Sequence, residues 1–421
     1  MAESKKGVIH MFEVLMTKKQ KKLRDEVRDL VKSVPRQLIL DMDADKISFP
    51  KEFLQEAGRR NLLGLRFPVK WGGRGLTWNE ELIAMEEVST LGICFSCQYS
   101  LVSIVGETVN VYGTDVQKEK YLKPTLTGTM YCAEALTEPR GGSDFFGAMT
   151  TARREGDYYI LNGQKRFVVG AEGADYFAVY AKTNPEAKPH ESLSLLIVDR
   201  GEGVTVKHVY GLMGARGNGT GRLLFRDVRV PAENLIGEEN GGNGIFWHMM
   251  IPERLSQGIT SSRASLALAA RYANRRKAFG QTIRNFQGVN FKIADCLTKL
   301  DAVTAFAHTV AKIVQEELGS ASYRRRLVSE VKKFSTQAQW EVLNDCMQIL
   351  GGIGYTNALP VERELRGARL STIWTGTTEI QNMIIQHEYF KELLSKGLEG
   401  RDIAADVPLT EEELVEEIIY E

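Results

Sequence analysis

The chain has 421 residues, with 54 Lys and Arg against 54 Asp and Glu, so its formal net charge is zero. This length allows two or three domains, and the balanced charge argues against nucleic acid or an acidic lipid surface as a partner. Five scattered cysteines indicate reduced thiols in a cytoplasmic compartment rather than a disulfide framework or a zinc site.

The pattern of apolar residues changes twice along the chain. From Thr17 to about Thr125 they recur at three- and four-residue spacing, which predicts helices. Between about Met130 and Glu238, short β-branched and aromatic runs separated by Gly, Asn and Asp predict an antiparallel sheet or small barrel. From Gly244 onward the helical period returns, with long helices expected near 252–275, 287–317, 323–350 and 377–396. No apolar run approaches the ~20 residues of a membrane-spanning helix, so we expect no integral membrane segment.

This order predicts an α+β chain in four parts. They are an N-terminal helical domain (1–129), a central β domain (130–240), a C-terminal helical domain (241–398) and an acidic extension (399–421). The extension reads either as a solvated tail with one short helix, begun by the capping pair Thr410 and Glu413, or as an arm at a subunit interface.

Five motifs in the expected order resemble those of the acyl-CoA dehydrogenase family, over roughly residues 20–396. They are Leu136-Thr-Glu-Pro-Arg-Gly-Gly-Ser-Asp144, Asn162-Gly-Gln-Lys165, Arg276-Lys-Ala-Phe-Gly280 with Phe286-Gln287, Gln348-Ile-Leu-Gly-Gly-Ile-Gly-Tyr355, and Trp374-Thr-Gly-Thr-Thr-Glu379. The resemblance implies an α-helical, β-barrel and four-helix-bundle fold in a homotetramer or dimer. It also implies FAD, an acyl-CoA substrate and an electron-transfer flavoprotein as partner.

The resemblance places one part of the FAD site in the glycine-rich loop and the strand that follows it. Glycines and small hydroxyls let a backbone approach a flat ring closely. The residues assigned to FAD there are Leu136, Thr137, Gly142, Ser143, Phe167 and Val169, and Ser143 is also assigned to the substrate. Phe167 stands where relatives usually carry Trp, and an aromatic face can still pack on the flavin. Val169 replaces a common Thr and cannot make its hydroxyl hydrogen bond.

A second part of the FAD site is expected to serve a neighbouring subunit. Arg276 suits the FAD diphosphate because its guanidinium binds phosphate in a bidentate way. The other residues implied in this cradle are Phe279, Phe286, Gln287, Gln348, Gly351 and Gly352. A basic helix end is the simpler interpretation of Arg276.

The catalytic base of many relatives is a Glu that this chain replaces with Thr375. A neutral hydroxyl cannot take the α-proton of a thioester, although the Thr375 backbone N–H can still bind the thioester oxygen. The resemblance assigns Trp374 and Gly376 to the substrate, and Thr377 and Glu379 to FAD.

A subset of the family, including the isovaleryl- and long-chain enzymes, supplies its Glu from a Glu-Arg-Leu segment. This chain reads Met250-Ile-Pro-Glu253-Arg254-Leu255, at comparable spacing before Arg276. We therefore predict Glu253 as the base, Arg254 on the CoA side and Met250 at the substrate. The alternative is a Glu after Pro that only compensates the dipole of a helix start.

The implied reaction is α,β-desaturation, with the α-proton going to Glu253 and the β-hydride to flavin N5. The segment Cys94–Leu101, expected to line the acyl pocket, has no Arg or Lys, which predicts an uncharged acyl group. Two alternatives remain open at this point. One is a flavoprotein of the same fold with other chemistry, such as an oxidase, an enoyl-CoA reductase or a base-independent lyase. The other is an FAD-bound scaffold without activity.

Overall fold

The computed structural model describes residues 11–256, 262–396, 400–401 and 403–406. The expected order of helices, strands and helices is confirmed. Most of the predicted acidic extension, including Thr410 and Glu413, lies outside the described residues, as does the chain before Met11.

The N-terminal part is helical because its apolar faces pack on one another and its helix starts are capped. Thr17 Oγ1 accepts from the Gln20 backbone N–H at 3.2 Å, while Gln20 Oε1 accepts from the Thr17 N–H at 2.9 Å. The helices are α1 (Met11–Leu15), α2 (Lys18–Ser33), α3 (Arg36–Asp43), α4 (Lys51–Arg59), α5 (Trp78–Val88), α6 (Ile93–Tyr112), α7 (Asp115–Gln117) and α8 (Lys123–Leu126).

The central sheet has eight strands, which are β1 (Cys132–Ala135), β2 (Thr151–Glu155), β3 (Tyr158–Val168), β4 (Tyr176–Lys182), β5 (Leu193–Asp199), β6 (Val204–Val209), β7 (Gly221–Pro231) and β8 (Leu235–Ile236). Its order is β6-β7-β3-β2-β4-β5-β8, with β1 beside β4. Most pairs are antiparallel as predicted, but β4 runs parallel to both β1 and β2. Periodicity does not distinguish the two directions, so the sequence could not show the parallel pairs.

The register of β1 decides which side chains face the helices. Glu134 pairs with Ala178 of β4. Ala133 and Ala135 are buried in the core on one face of the sheet. Because side chains alternate along a strand, Glu134 points to the opposite face, where Tyr180 of β4 also packs.

The C-terminal helices are α9 (Gly242–Leu255), α10 (Ser262–Arg275), α11 (Gln287–Gln315), α12 (Ala321–Leu350), α13 (Val361–Ser371) and α14 (Thr378–Lys396), with a small hairpin of β9 (Lys277–Ala278) and β10 (Gln281–Thr282). Among the described residues, we find no helix that combines the length and apolar character needed to cross a bilayer.

The predicted helix near 252–275 is wrong at its start. Pro252 lies inside α9, which begins ten residues earlier, at Gly242. The proline suggested a helix start, because it is common at the first helical position. Burial of Ile245, Met249 and Met250 in the core shared with the N-terminal helices and the sheet holds α9 in place despite the proline.

Candidate active site

Glu253 lies in the last turn of α9, enclosed between the sheet and the helical bundle. Its residue exposure is 9%, and its Oε2 atom is buried without a hydrogen-bond partner among the described residues. A carboxylate near a helix C-terminus is disfavoured by the helix dipole. Dipole compensation at a helix start therefore does not explain Glu253, and an unpartnered buried carboxyl calls for a ligand or a proton.

The surroundings of Glu253 have opposing effects on the pKa of its carboxyl group. Burial raises the pKa of Glu253 to about 7, while the positive charges of Arg254 and Lys332 act in the opposite direction. The group therefore exchanges a proton near neutral pH, which is the range that suits a general base or acid.

Arg254 is not on the surface, because it is only 2% exposed. Its Nη1 donates to Ser329 Oγ on α12 at 3.0 Å, and its guanidinium lies 6.0 Å from the ring centre of Trp247. Burial lowers the pKa of Arg254 to about 10. Arg254 thus supplies positive charge next to Glu253, and its predicted contact with CoA stays a prediction. Met250, the other predicted substrate residue on α9, is buried.

The loop between α13 and α14 carries Thr375 and Gly376 in left-handed backbone conformations, with φ of 56° and 86°. Such a conformation is uncommon for a threonine and is often found at functional sites. Thr375 Oγ1 is buried without a partner among the described residues. The φ of Gly376 would strain any other residue, and an added Cβ would also lie 2.6 Å from Gln381 Nε2, so the position favours glycine. Trp374 is half-buried beside them.

Two side chains hold this loop by hydrogen bonds to its carbonyl oxygens. Gln381 Nε2 donates to the carbonyl oxygens of Thr375 and Gly376, at 3.1 and 3.0 Å. Lys332 Nζ donates to the Gly376 carbonyl oxygen at 2.6 Å. Sequence reasoning missed Lys332, since a lysine in an amphipathic helix normally indicates a solvated face. Burial lowers the pKa of Lys332 to about 7, with Arg254 acting in the same direction.

Glu134 is a second carboxyl group that sequence reasoning missed. It faces α6 and α9 from β1, and its Oε1 atom is buried without a partner among the described residues. Burial and the negative charge of Glu253 both raise the pKa of Glu134. A charged residue inside the apolar run Tyr131–Leu136 was the available signal.

The predicted glycine-rich loop is braced by a buried ion pair. Lys165 Nζ donates to Glu138 Oε1 at 2.8 Å and to the Leu136 carbonyl oxygen at 3.0 Å. The Arg166 N–H donates to the Thr137 carbonyl oxygen at 2.6 Å, which places the loop beside Phe167. The Asn162-Gly-Gln-Lys165 motif therefore has a structural explanation.

The predicted flavin contacts near this brace are open to a ligand. Phe167 is 55% exposed with φ of 55°, and its ring centre lies 4.9 Å from that of Tyr210. Gly142 and Ser143 are exposed, whereas Leu136, Thr137 and Val169 are half-buried. An exposed aromatic ring next to a glycine-rich loop fits a flat ring such as isoalloxazine.

The residues predicted for a neighbouring subunit's FAD meet at the far end of the bundle. Phe279 is 94% exposed, 6.0 Å from Phe286 between ring centres. Arg276, Gln287, Gln348, Gly351 and Gly352 are exposed there too. Gln348 is 16 residues beyond Lys332 on α12, roughly 24 Å along the helix axis. This distance separates the second set from the loop at Gly376 of the same chain.

A groove of about 470 Å³ adjoins the loop between α13 and α14, residues 372–377, which we call the base loop because it carries Thr375. Its lining residues are Gln337, Trp340, Glu341, Arg369, Thr372, Ile373, Thr377, Thr378 and Glu379. It reaches the N-terminus of α14, where the positive end of the helix dipole suits a phosphate. Thr377 and Glu379 line this groove, so the residues present fit FAD, and the contacts of these two residues with the cofactor stay a prediction.

Family models match nearly the whole described chain. The acyl-CoA dehydrogenase N-terminal domain matches residues 17–129, the middle domain 133–228 and the C-terminal domain 240–390. The solved structure of butyryl-CoA dehydrogenase from Megasphaera elsdenii is similar, with a TM-score of 0.84 and 29% identity over 89% of this chain and 99% of that chain.

Several curated relatives are named as reductases. The caffeyl-CoA reductase-Etf complex subunit CarC of Acetobacterium woodii is 35% identical over 381 residues, covering 89% of this chain and 99% of the relative. The 3-(aryl)acrylate reductase of Clostridium sporogenes is 35% identical over 355 residues, which cover 83% of this chain and 93% of the relative. The chain belongs to the acyl-CoA dehydrogenase family, and it is an FAD-dependent oxidoreductase.

Proposed function

We propose that this protein interconverts an acyl-CoA and its α,β-unsaturated counterpart, with Glu253 exchanging the α-proton. The observation that carries the proposal is the enclosed, unpartnered carboxyl of Glu253, in a protein whose base loop carries Thr375 instead of an acid. A thioester α-carbon is a weak acid, so its proton has to be taken by a positioned group with a matched pKa. Burial gives Glu253 a pKa of about 7, which meets this requirement.

The base loop is proposed to bind the thioester oxygen. The backbone N–H of Thr375 has no hydrogen-bond partner among the described residues, and the left-handed backbone of Thr375 and Gly376 fixes its direction. A fixed N–H that meets developing enolate charge stabilises the transition state more than the ground state. Lys332 and Gln381 keep the loop in this arrangement through hydrogen bonds to its carbonyl oxygens.

FAD is the redox group of the proposed reaction and, when bound, supplies the hydride acceptor. Leu136, Thr137, Phe167 and Val169 would hold its ring system, while Gly142 and Ser143 would lie along it. Thr377 and Glu379 would contact it from the groove beside α14. Lys165 and Glu138 keep the glycine-rich loop in place, so their contribution is structural.

A second subunit is proposed to complete the cofactor site. Arg276, with Phe279, Phe286, Gln287, Gln348, Gly351 and Gly352, lies too far along the bundle to meet the base loop of its own chain. The 94% exposure of Phe279 supports burial against another copy. We therefore propose a homotetramer, or a dimer, with shared FAD sites, and an electron-transfer flavoprotein as redox partner.

Reduction of an enoyl-CoA is the second candidate function. Several relatives of this chain are named as reductases, and the name of one of them places it in a complex with Etf. A base whose pKa is about 7 is also present as an acid at neutral pH, so it could return the proton to the α-carbon.

The test uses the FAD-loaded protein in both directions. Anaerobic mixing with a panel of acyl-CoAs should bleach the flavin absorbance for at least one saturated substrate. Mixing the reduced protein with the matching enoyl-CoA should restore it. Rapid reoxidation by air would favour an oxidase, and no change with any CoA ester would favour a scaffold without activity.

A further inference from the structure

We propose that Glu134 and Glu253 form a carboxylic acid–carboxylate pair that shares one proton at the active site. Glu134 is then a positioning residue, because it holds this proton while Glu253 acts as the base. The inference deepens the proposed function and rests on it for the role of Glu253. It assigns a role to a side chain on β1 that lies outside the base loop and the glycine-rich loop.

The backbone places the two groups face to face. Register puts Glu134 on the same face of the sheet as Tyr180, two positions beyond its partner Ala178. The Tyr180 hydroxyl donates to Met249 Sδ on α9 at 3.8 Å. Met249 precedes Glu253 by four residues, so both side chains lie on one face of that helix. Glu134 and Tyr180 therefore face the strip of α9 that carries the base.

The hydrogen bonding around the pair is incomplete. Glu134 Oε1 and Glu253 Oε2 are both buried, and neither has a partner among the described residues. Two such carboxylates cannot both keep their charge at low cost, because burial and mutual repulsion act against the second charge. One proton on the pair removes one of the charges.

The groups around the pair do not remove the cost of burying two negative charges close together. Those that face it from the neighbouring elements are Cys97 on α6, Tyr180 on β4, Arg254 on α9 and Lys332 on α12. The pKa values of Cys97 and Tyr180 are raised by burial and by the nearby carboxyls, so both stay neutral. The cations Arg254 and Lys332 lower the pKa of Glu253. They favour the negative charge on Glu253 and leave the proton on Glu134.

This arrangement gives one site two useful states. With the proton on Glu134, Glu253 is a carboxylate that can take the α-proton of a saturated acyl-CoA. With the proton on Glu253, the same group is an acid that can protonate the α-carbon of an enoyl-CoA. Moving the proton between the two carboxyls changes no net charge, so the enclosed site can prepare either direction without desolvating a second ion.

Infrared spectroscopy of the FAD-loaded protein tests the pair directly. The C=O band of a protonated carboxylic acid is followed through a pH titration, for wild type, Glu134→Gln and Glu253→Gln. Coupled groups lose their last proton at a higher pH than either group alone. We expect one band component to persist to higher pH in wild type, and its midpoint to fall by on the order of one pH unit in each variant. Glu119→Gln, an exposed carboxyl on the surface, is the control and should leave the component unchanged.

The outcomes separate this inference from the proposed function. A component with the same midpoint in Glu134→Gln and wild type would overturn the pair, even if Glu253→Gln is inactive. A midpoint that falls in both variants supports the pair, even if Glu253→Gln still reduces its flavin with acyl-CoA, which would refute only the role of Glu253 as base. Stopped-flow flavin bleaching across the same pH range should show the downward shift in Glu134→Gln too.

Discussion

The buried ammonium group of Lys332 is hydrogen-bonded to the backbone carbonyl of Gly376, with 2.6 Å between Nζ and the oxygen. The contact joins the middle of α12 to the loop that carries Thr375. The same ammonium group lowers the pKa of Glu253, so one side chain both holds the loop and favours the carboxylate form of the base.

Replacing Lys332 should therefore have two effects. In Lys332→Met, the loop loses its hydrogen bond, and we expect lower kcat together with a raised pH midpoint for acyl-CoA oxidation, because a cation that favours the carboxylate is gone. Stopped-flow flavin reduction across pH measures both. The neighbouring Lys333→Met is the matched control and should behave as wild type; an unshifted midpoint in Lys332→Met would refute the electrostatic role.

The oxidative and reductive directions should depend on pH with opposite signs. The folded pKa of Glu253 is about 7, so the carboxylate fraction rises with pH through that value. The rate of acyl-CoA oxidation should rise across the same range, and the rate of enoyl-CoA reduction should fall. Single-turnover rates in both directions, at substrate concentrations well below saturation, check this. Parallel profiles in the two directions would contradict it.

Moving the acid should move the base. A Glu at position 375 would project from the loop position at which many relatives carry their base. We expect Glu253→Gln combined with Thr375→Glu to recover part of the flavin reduction rate that Glu253→Gln loses. Thr375→Gln in the same background is the matched control, since it has the same size without the carboxylate. Equal rates for the two double variants would argue against the proposed geometry.

The N-terminal helices contain a buried network that should dominate local stability. Arg66 Nε lies 2.8 Å from Glu81, and Nη1 pairs with Glu107, which also contacts His248 of α9 at 2.8 Å. Arg66→Met would leave two buried carboxylates without the guanidinium that they share, so the free energy of unfolding should fall by about 3–5 kcal/mol. Urea denaturation measures the change.

The control for this stability change is an exposed pair. Arg59 contacts Glu56 on the surface of α4, so Arg59→Met should change the urea midpoint little. Equal decreases in the free energy of unfolding for Arg66→Met and Arg59→Met would show that burial is not the reason why the Arg66 network stabilises the fold.

The sequence predicted the order of helices and sheet because hydrophobic periodicity is a local property. It also indicated Glu253, because an acid absent from one motif was present in another. The start of α9 was misplaced because Pro252 is tolerated inside a helix whose other residues are well buried. Local patterns do not report such a tertiary compensation.

Lys332 and Glu134 show what the sequence could not supply. Lys332 reads as a solvated helix residue until the loop at Gly376 is placed against it. A role for Glu134 can be inferred only once β1 is paired with β4, because this pairing directs the Glu134 side chain toward α9. Both depend on contacts between residues far apart in the chain, which periodicity and motif spacing do not encode. The roles of the individual FAD and substrate residues remain predictions.

The most direct measurement of the central claim is anaerobic flavin reduction by acyl-CoA in the Glu253→Gln variant. The glutamine preserves the size and the buried position but cannot take a proton. With a substrate that bleaches the wild-type flavin, we predict bound FAD and intact acyl-CoA binding, and a reduction rate lowered by about 10²–10⁴-fold. Bleaching at the wild-type rate would contradict the assignment of Glu253 as the base.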